Sequence, residues 1–547
     1  MAGLATTLGS GAMTNSIADI PQAEVLLVIG SNTTEAHPVI ALQMKSAVRQ
    51  HGARLILVDP RRIELAQFAH LHLRHIPGSD VALINAMIQV ILAEGLENRP
   101  FLSERTEGLE ALRPSVAEWT PERAAAVSGV PPEQIVAAAR LYAGARSAAI
   151  FWAMGITQHT TGTDNVKALS NLALLCGHVG RPGTGLNPLR GQNNVQGACD
   201  MGGLPNVFPA YQPVTDEAVR RRFADEWGLP ADRLSPKVGL TVTEMMTAII
   251  EGKVRGLFVL GENPMLSDPN LHHVEEALRK VEFLAVQDIF ANETAAFADV
   301  VLPAVSFAEK EGTFTNTERR VQRVRRALPP LAQAREDWRI LTDLAGRMGA
   351  DWRYASASEI FDEMARLTPS YAGMSHARLE AGGLQWPCPT ADHPGTPILH
   401  TQKFTRGKGL LTPVVYRPPA EEPDEVYPLR LSTGRVLFHW HGGTLSRRSP
   451  GLESLAPQAE VEIHPQDAEA LGVVDGRPVR VRSRRGQLVA AARITRRSPP
   501  GTVFMTFHYA EAAVNLLTSD AVDPIAKIPE YKISAVRIEP VAEPVPV

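Results

Sequence analysis

The chain has 547 residues, which at roughly 150 residues per domain makes about three or four domains, each with room for its own core. Hydrophobic residues at 44% and charged residues at 21% belong to a globular chain and exclude disorder or a fibre. A net charge of -4, from 55 basic and 59 acidic residues, supplies no pull toward nucleic acid or an anionic membrane, so small molecules are the expected ligands.

Cys176, Cys199 and Cys388 stand too far apart for a CxxC pair or a disulfide framework, which points to a reducing compartment, expected to be the cytoplasm. No run of about 18 apolar residues occurs, so no membrane insertion is expected, and the opening segment lacks the basic and apolar regions of a signal peptide. Gly3, Gly9, Gly11, Thr14, Asn15 and Ser16 carry the turn chemistry of an interior loop, and the true start is expected upstream.

Residues 23–29 form the first apolar run, consistent with a parallel strand buried on both faces, and it ends at Gly30-Ser31-Asn32. Residues 35–50 carry Val39, Leu42 and Ala47 at helical spacing, and 54–58 return as a strand ending in Asp59-Pro60. This is a right-handed βαβ unit. From 99 to 145 the chain reads as amphipathic helices, with Thr120 capping Pro121-Glu122.

The same grammar returns later. A strand at 256–260 ends at Gly261-Glu262-Asn263, a helix follows at 271–280, and 281–286 ends at Gln287-Asp288. Gly30 and Asp59 stand 29 apart, Gly261 and Asp288 27 apart, and Phe68-Ala69-His70 then corresponds to Phe297-Ala298-Asp299. We read an internal repeat of a nucleotide-binding fold, in which a glycine turn admits a phosphate and a carboxylate at the end of the next strand accepts from ribose hydroxyls. Such turns also punctuate any doubly wound sheet.

Residues 319–348 are rich in Arg, Leu and Ala, with helix expected from Ala334; the basic cluster Arg319, Arg320, Arg323, Arg325 and Arg326 is assigned to a surface or partner contact rather than to nucleic acid. Five prolines and several acids over 412–428 suggest a semi-rigid linker. Beyond it, 477–482 and 487–490 flank the turn Arg484-Arg485-Gly486 as a hairpin, and 465–471 form one short helix. The fold class is therefore α/β with two pseudo-symmetric dinucleotide-binding domains, over 1–190 and 191–304, a helical and loop region over 305–411, the linker, and a β-barrel with an inserted helix over 429–547.

The densest polar stretch, 187–203, holds Arg190, Gln192, Asn193, Asn194, Gln196 and Asp200. Buried amides need several hydrogen-bond partners each, a demand a polar ligand meets, and Arg190 offers a fork of donors for a carboxylate or phosphate. The alternative is a solvated loop whose Asn and Gly serve turns.

The string NPLRGQNNVQGACDMGGLPNVFPAYQ strongly resembles the alpha, catalytic subunits of molybdenum- or tungsten-dependent formate dehydrogenases, within the molybdopterin oxidoreductases. GSGAMTNSI, GSNTTEAHPV, VDPRR, FWAMGITQHTTG, GENP, VQDIF, ADVVLPA, EKEGTFTNTERRVQ, LSTGRV and TSDAVDPIAKIPEYK extend the resemblance along the whole chain. It implies a bis-molybdopterin guanine dinucleotide cofactor with Mo or W, formate as substrate, and iron–sulfur or NAD-linked electron-transfer subunits as partners. By the same resemblance Gly30, Asn32, Asp59, Gly78 and Asp80 serve one dinucleotide, and Gly261, Asn263, Gln287 and Asp288 the other. Met154, Gly155 and Gln158, with Thr433, Gly434, Arg435, Asn515, Tyr531 and Lys532, match pterin and phosphate contacts. Arg190 matches the arginine that orients formate, with Gln192 beside it.

Family members also carry a four-cysteine [4Fe-4S] site and then a selenocysteine or cysteine metal ligand followed by histidine, and neither is found here; residues 1–17 resemble the stretch that begins just after that ligand. We expect these elements to be encoded upstream, behind a UGA selenocysteine codon taken as a stop, with a plain fragment, a frameshift or a split gene as the competing explanations, and the second α/β domain left with open sheet edges and exposed core surface. No metal ligand is assigned within the chain: Cys176 and Cys199 read as structural, Cys388 as a loop residue, and His439 and His441 as packing residues. A nitrate reductase-like oxidoreductase, disfavoured by the sequence around Arg190, and a non-catalytic truncated paralogue that binds cofactor or partners are the alternatives.

Overall fold

The computed structural model describes residues 1–541, so the last six residues of the expected barrel domain lie outside the described residues. The chain divides into two compact units: Met1–Gly191, Leu266–Leu271 and the chain from Ile398 onward form the first, and Gln192–Met265 with His272–Pro397 the second. The region expected as one connection over 305–411 is thus shared between the two units.

The first unit opens with β1 (Val25–Ile29), α1 (Pro38–His51), β2 (Arg54–Val58) and β3 (Leu71–Leu73), continues through α2 (Asp80–Ala93) and further helices, and then forms β4 (Ala148–Trp152), α3 (Gly162–Cys176) and β5 (Gly185–Pro188). The five strands are parallel, in the order β3-β2-β1-β4-β5, with Leu27 opposite Ile56 on one side and Ile150 on the other. Every residue of β1 and β4 is buried, which is why both are unbroken apolar runs. The chain moves outward from β1 in one direction and from β4 in the other. This reversal opens a crevice beyond their C-terminal ends, the place where doubly wound sheets bind ligands.

The buried stripe of α1 is Ile40, Ala41, Met44 and Ala47. Val39 and Leu42, expected to face the core, are 69% and 61% exposed. Residues 40, 44 and 47 follow the 3.6-residue period, and 39 and 42 fall off that stripe. The Thr120 cap forms as the sequence suggests, its hydroxyl accepting from the Arg123 N–H at 3.3 Å.

The second unit repeats the opening motif with β6 (Gly256–Leu260), α4 (Leu271–Lys280), β7 (Phe283–Asp288) and β8 (Val300–Pro303), three parallel strands in the order β8-β7-β6. The repeat extends to single backbone bonds. Gly30 N–H donates to Val58 O at 3.0 Å and Gly261 N–H to Gln287 O at 2.9 Å, while His70 N–H reaches Leu55 O at 2.7 Å and Asp299 N–H reaches Leu284 O at 2.9 Å. Phe258, Leu260 and Val300 share one face of this sheet and are each about two-fifths exposed.

Within 319–348 the helix runs over Asp337–Arg347, preceded by the strand Arg320–Val324. The basic cluster is only partly the surface expected: Arg325 and Arg326 are exposed, but the residues before them turn inward. Arg319 is fully buried and donates to the carbonyls of Trp386, Thr396 and Pro397; Arg320 and Arg323 are tied to Glu318, Gln385 and Glu380. Burial pushes Arg319 down to about 9. Carbonyl oxygens gathered by the folded chain, invisible to local composition, replace the water this guanidinium loses.

In the first unit, 412–428 form neither helix nor strand but are fastened rather than free. Thr412 O accepts from Asn171 Nδ2 at 2.7 Å, Val414 O from Asn85 Nδ2 at 3.0 Å, and Ala420 N–H donates to Glu530 at 2.9 Å. The prolines hold the segment extended, and long-range amides turn the expected linker into a strap. There follow β9 (Leu429–Gly434), β10 (Glu460–Ile463), the helix Pro465–Leu471, β11 (Pro478–Arg482), β12 (Gln487–Ile494), β13 (Thr502–Thr506) and β14 (Ser534–Pro540). These six strands close a barrel in the order β9-β13-β10-β12-β11-β14, and alternate residues such as Val479, Val481, Leu488, Ala490, Val503 and Met505 fill it. The protein is thus a mixed α/β chain ending in a closed barrel.

Candidate functional site

The crevice at the end of the first sheet is built on two glycines. Gly155, just past β4, donates its N–H to Gly30 O, just past β1, at 3.0 Å. A Cβ on Gly30 would stand 2.8 Å from Gly155 C, and one on Gly155 would stand 2.5 Å from Gly30 O. Only this pairing lets the two turns meet where the strand order reverses. Met154 opens the short helix here and Gln158 closes it, while His159 Nε2 donates to Gly155 O at 2.8 Å.

Around this pair stand the ends of the neighbouring elements. Asn32 Oδ1 accepts from Thr34 Oγ1 at 3.0 Å, and its Nδ2 is buried with no partner among the described residues. Asp59, ending β2, accepts from Arg61 N–H at 2.9 Å, and burial pushes its carboxyl up. Gly78 packs so that a Cβ would be 2.5 Å from Pro419. Asp80, the first residue of α2, takes a 3.1 Å contact from His75 Nε2 through Oδ1, whereas its buried Oδ2 has no partner among the described residues. Burial works against both charges, yet the attraction and hydrogen bond between them outweigh it: His75 is raised and Asp80 lowered.

The barrel supplies cations to the same unit. Thr433 Oγ1 donates to Tyr531 O at 2.8 Å, and Lys532 Nζ donates to Thr433 O at 2.6 Å. Gly434 lies against Phe504, where a Cβ would be 2.6 Å from the ring. Arg435 follows, its Nη1 3.0 Å from Gly191 O and its guanidinium 5.0 Å from the Trp440 ring centroid. Burial, then the charge of Arg435, pushes Lys532 down to about 7, and burial pushes Arg435 down to about 10. Tyr531 and Asn515 spend their side chains on the adjacent segment: the hydroxyl donates to Ser267 O at 2.9 Å, and Asn515 Nδ2 donates to Leu266 O at 2.9 Å.

Arg190 lies two residues beyond β5 with Nη2 donating to Gly11 O at 3.1 Å, and its own carbonyl meets His37 Nε2 at 2.6 Å. Gln192 opens the second unit. There the amide-rich stretch folds into the helix Val195–Asp200 and satisfies much of its demand internally. Buried Asp200 accepts from Gln196, Tyr211 and Trp386 Nε1, each at 2.8 Å, and from the Tyr371 hydroxyl.

The family profile described as "Molybdopterin oxidoreductase" matches residues 3–347, and that described as "Molydopterin dinucleotide binding domain" matches 429–535. The chain belongs to the molybdopterin oxidoreductase family. It is 48% identical over 541 residues to the F420-dependent formate dehydrogenase 1 subunit alpha of Methanococcus maripaludis, covering 98% of this chain and 79% of that protein. It is 40% identical over 549 residues to formate dehydrogenase H of Escherichia coli, covering 99% and 76%. Among solved structures, acetylene hydratase from Pelobacter acetylenicus shares the fold with a TM-score of 0.79 at 20% identity, covering 99% of this chain and 80% of that one.

A molybdopterin oxidoreductase must hold a long polyanionic cofactor, and the crevice residues of the first unit fit one. Lys532 and Arg435 are buried cations, the charge of Arg435 adding to the depression of Lys532, and among the described residues neither has a carboxylate within ion-pair distance. A phosphate would relieve that repulsion. Asn32 Nδ2 and Asp80 Oδ2 add a spare donor and a spare acceptor, and the glycine turns leave the backbone accessible.

The residues expected to serve the second dinucleotide are arranged differently. Nothing lies within 4 Å of a Cβ placed on Gly261. Asn263 is held by Glu293 and Thr294, its Nδ2 donating at 2.6 Å and its Oδ1 accepting at 2.8 Å. Asp288 accepts from Ile289 N–H at 2.6 Å and from Asn292 Nδ2 at 2.9 Å. In Gln287, Nε2 donates to Asp337 at 2.9 Å and Oε1 is buried without a partner among the described residues. Asn263 therefore ties its loop to the one that follows β7, and Asp288 organises its own.

Sequence reasoning passed over Arg61, His75 and His37. Arg61 stacks 3.4 Å from the Phe504 ring centroid and pairs with Glu462 at 2.8 Å. The signal for Arg61 was its place directly after Asp59-Pro60, and for His75 its place five residues before Asp80. Elsewhere, His439 is bound by Ser446 and by Ala456 O, and all three cysteines are buried, with burial pushing the Cys176 thiol well up. Among the described residues no helix is long and apolar enough to cross a membrane.

Proposed function

We propose that the chain is the catalytic alpha subunit of a formate dehydrogenase, converting HCOO⁻ to CO2, a proton and two electrons, and that it works with electron-transfer subunits. The near-full-length identity to formate dehydrogenase alpha subunits carries this reading. In it, Asn32, Asp59, Asp80, Arg435 and Lys532 hold one guanine dinucleotide of a bis-molybdopterin cofactor with Mo or W, with the Gly30–Gly155 and Gly78 turns as its cradle. Gly261, Asn263, Gln287 and Asp288 serve the other dinucleotide, with Gln287 Oε1 as the open acceptor. When bound, the cofactor supplies the two-electron acceptance that side chains lack. Arg190 pairs with the formate carboxylate and orients its C–H bond, and replacing water around the anion with fixed donors keeps that orientation at no further cost. Gln192 contributes a further donor to the substrate. Met154, Gln158, Thr433 and Gly434 line the pterin and phosphate path.

The test is the holoenzyme purified from its native gene, with its metal content measured, assayed for formate-dependent reduction of a viologen and release of labelled CO2. Wild type is expected to carry Mo or W and to turn over. Arg190→Ala should lower kcat/KM by about 10²–10³-fold at equal metal content. Metal-loaded protein that leaves formate untouched overturns the reading. Comparing F420, NAD and iron–sulfur carriers as acceptors then identifies the class of partner.

A further inference from the structure

We infer that His37 is a positioning residue for Arg190, an assignment that rests on the formate reading. His37 joins the short helix Thr33–Ala36 to α1, and both helices grip its backbone. Its N–H donates to Thr33 O and its carbonyl accepts from Ala41 N–H, each at 2.9 Å, with Pro38 following in the first turn of α1. The imidazole is thus mounted on a rigid corner of the first unit. Its Nε2 lies 2.6 Å from the carbonyl oxygen of Arg190.

A carbonyl can only accept, so Nε2 carries the proton and Nδ1 the lone pair. Burial, aided by the charge of Arg435, lowers the ring below its ordinary value, which keeps it neutral and in that single tautomer at pH 7. The location gives the contact its weight. The strand ladder ends at Leu189, whose N–H donates to Trp152 O at 2.8 Å. Beyond that bond the next two carbonyls are held by side chains: Arg190 O by His37, and Gly191 O by Arg435 Nη1 at 3.0 Å. At the other end of the arginine, Nη2 is fixed on Gly11 O. An arginine that must meet a one-carbon anion in one orientation gains from such tethers, because a displacement of about 1 Å can cost about 10²-fold in rate.

Three full-chain variants test this in the metal-loaded enzyme, with rates expressed per bound metal. The Gln amide nitrogen can occupy the place of Nε2, whereas Asn stops short of it and Phe removes it. His37→Phe and His37→Asn should lower kcat/KM for formate by about 10- to 10²-fold, with KM raised about tenfold, and His37→Gln should bring both back to within about twofold of wild type. Azide, a non-reducing monoanion, gives a readout free of turnover: its Kd, from the thermal shift of oxidised enzyme, should weaken in parallel in the Phe and Asn variants and recover in Gln. A wild type that turns over formate beside a His37→Phe variant with unchanged KM and azide Kd overturns the assignment and leaves the functional reading standing. So does a Gln variant as impaired as Phe. A loaded wild type inert toward formate overturns the functional reading itself.

Discussion

The two halves of the repeat share a backbone and differ in what their polar atoms do. Gly30 and Gly261 both make the same N–H bond to the carbonyl preceding an aspartate, Asp59 or Asp288. In the first half the glycine is pressed onto Gly155, and Asn32 and Asp80 keep a buried atom in reserve. In the second half the glycine is open, Asn263 is held by Glu293 and Thr294 and Asp288 by its own loop, and the buried atom left in reserve belongs to Gln287 instead. Spacing therefore specifies the fold of each half, and the neighbours assembled around a turn decide whether it presents groups to a ligand.

The largest effect that would sharpen this contrast is at the acids. Asp80→Ala strands His75 in a buried site and should cost about 3–5 kcal/mol, whereas Asp288→Ala removes a cap for Ile289 and Phe290 and should cost about 1–2 kcal/mol. Hydrogen exchange of peptides spanning β1–β2 and β6–β7 reads each half separately. Equal protection losses would break the contrast. The pair also predicts a pH profile. His75, raised, contributes stability that is full below about pH 6.5 and is lost as the pH rises through its raised value; Asp80, lowered, contributes above about pH 3.9 and loses it as the pH falls through its depressed value. The pair is thus strongest between those limits, and Asp80→Asn should lower thermal stability inside that window and flatten the decline on either side of it.

The glycines come next. Gly30→Ala combines a φ of +56° with a Cβ 2.8 Å from backbone that has no side chain to yield, and should cost about 3 kcal/mol or more. Gly261→Ala meets only the left-handed strain, about 1–2 kcal/mol. Comparable shifts in melting temperature for the two variants would mean that the Gly30–Gly155 approach is looser than its geometry indicates.

Both strands of each half, the helices Leu271–Lys280 and Pro465–Leu471, and the β11–β12 hairpin were legible, because each is set by local periodicity and turn chemistry. What escaped depended on partners far along the chain. The core face of α1 is chosen by the sheet beneath it, which left Val39 and Leu42 in solvent. Arg319 reads as surface until Trp386, Thr396 and Pro397 bring their carbonyls to it. The proline-rich strap looks free until Asn85 and Asn171 take its carbonyls. Of the candidate site, Gly30, Asp59, Gly261 and Asp288 could be named from spacing, and Gly78, Asp80 and Gly155 only from the family resemblance; the spare atoms at Asn32 and Asp80 and the saturation of Asn263 could be named from neither, since both are counts of three-dimensional neighbours.

The smallest effect is the most discriminating, because its two arms should cross. Asn263→Ala removes bonds to Glu293 and Thr294 and leaves the Thr294 N–H without its acceptor, so protection around β6 should fall by about 1–2 kcal/mol. Asn32→Ala deletes a buried donor that has no partner among the described residues, together with one bond from the Thr34 hydroxyl, so the fold should change by less than about 1 kcal/mol. Its penalty should appear instead in cofactor retention, read as metal bound per chain after prolonged dialysis, where Asn32→Ala falls and Asn263→Ala holds. If Asn32→Ala destabilises β1–β2 as much as Asn263→Ala destabilises β6–β7, then Nδ2 is already occupied within the protein and the first half is as closed as the second.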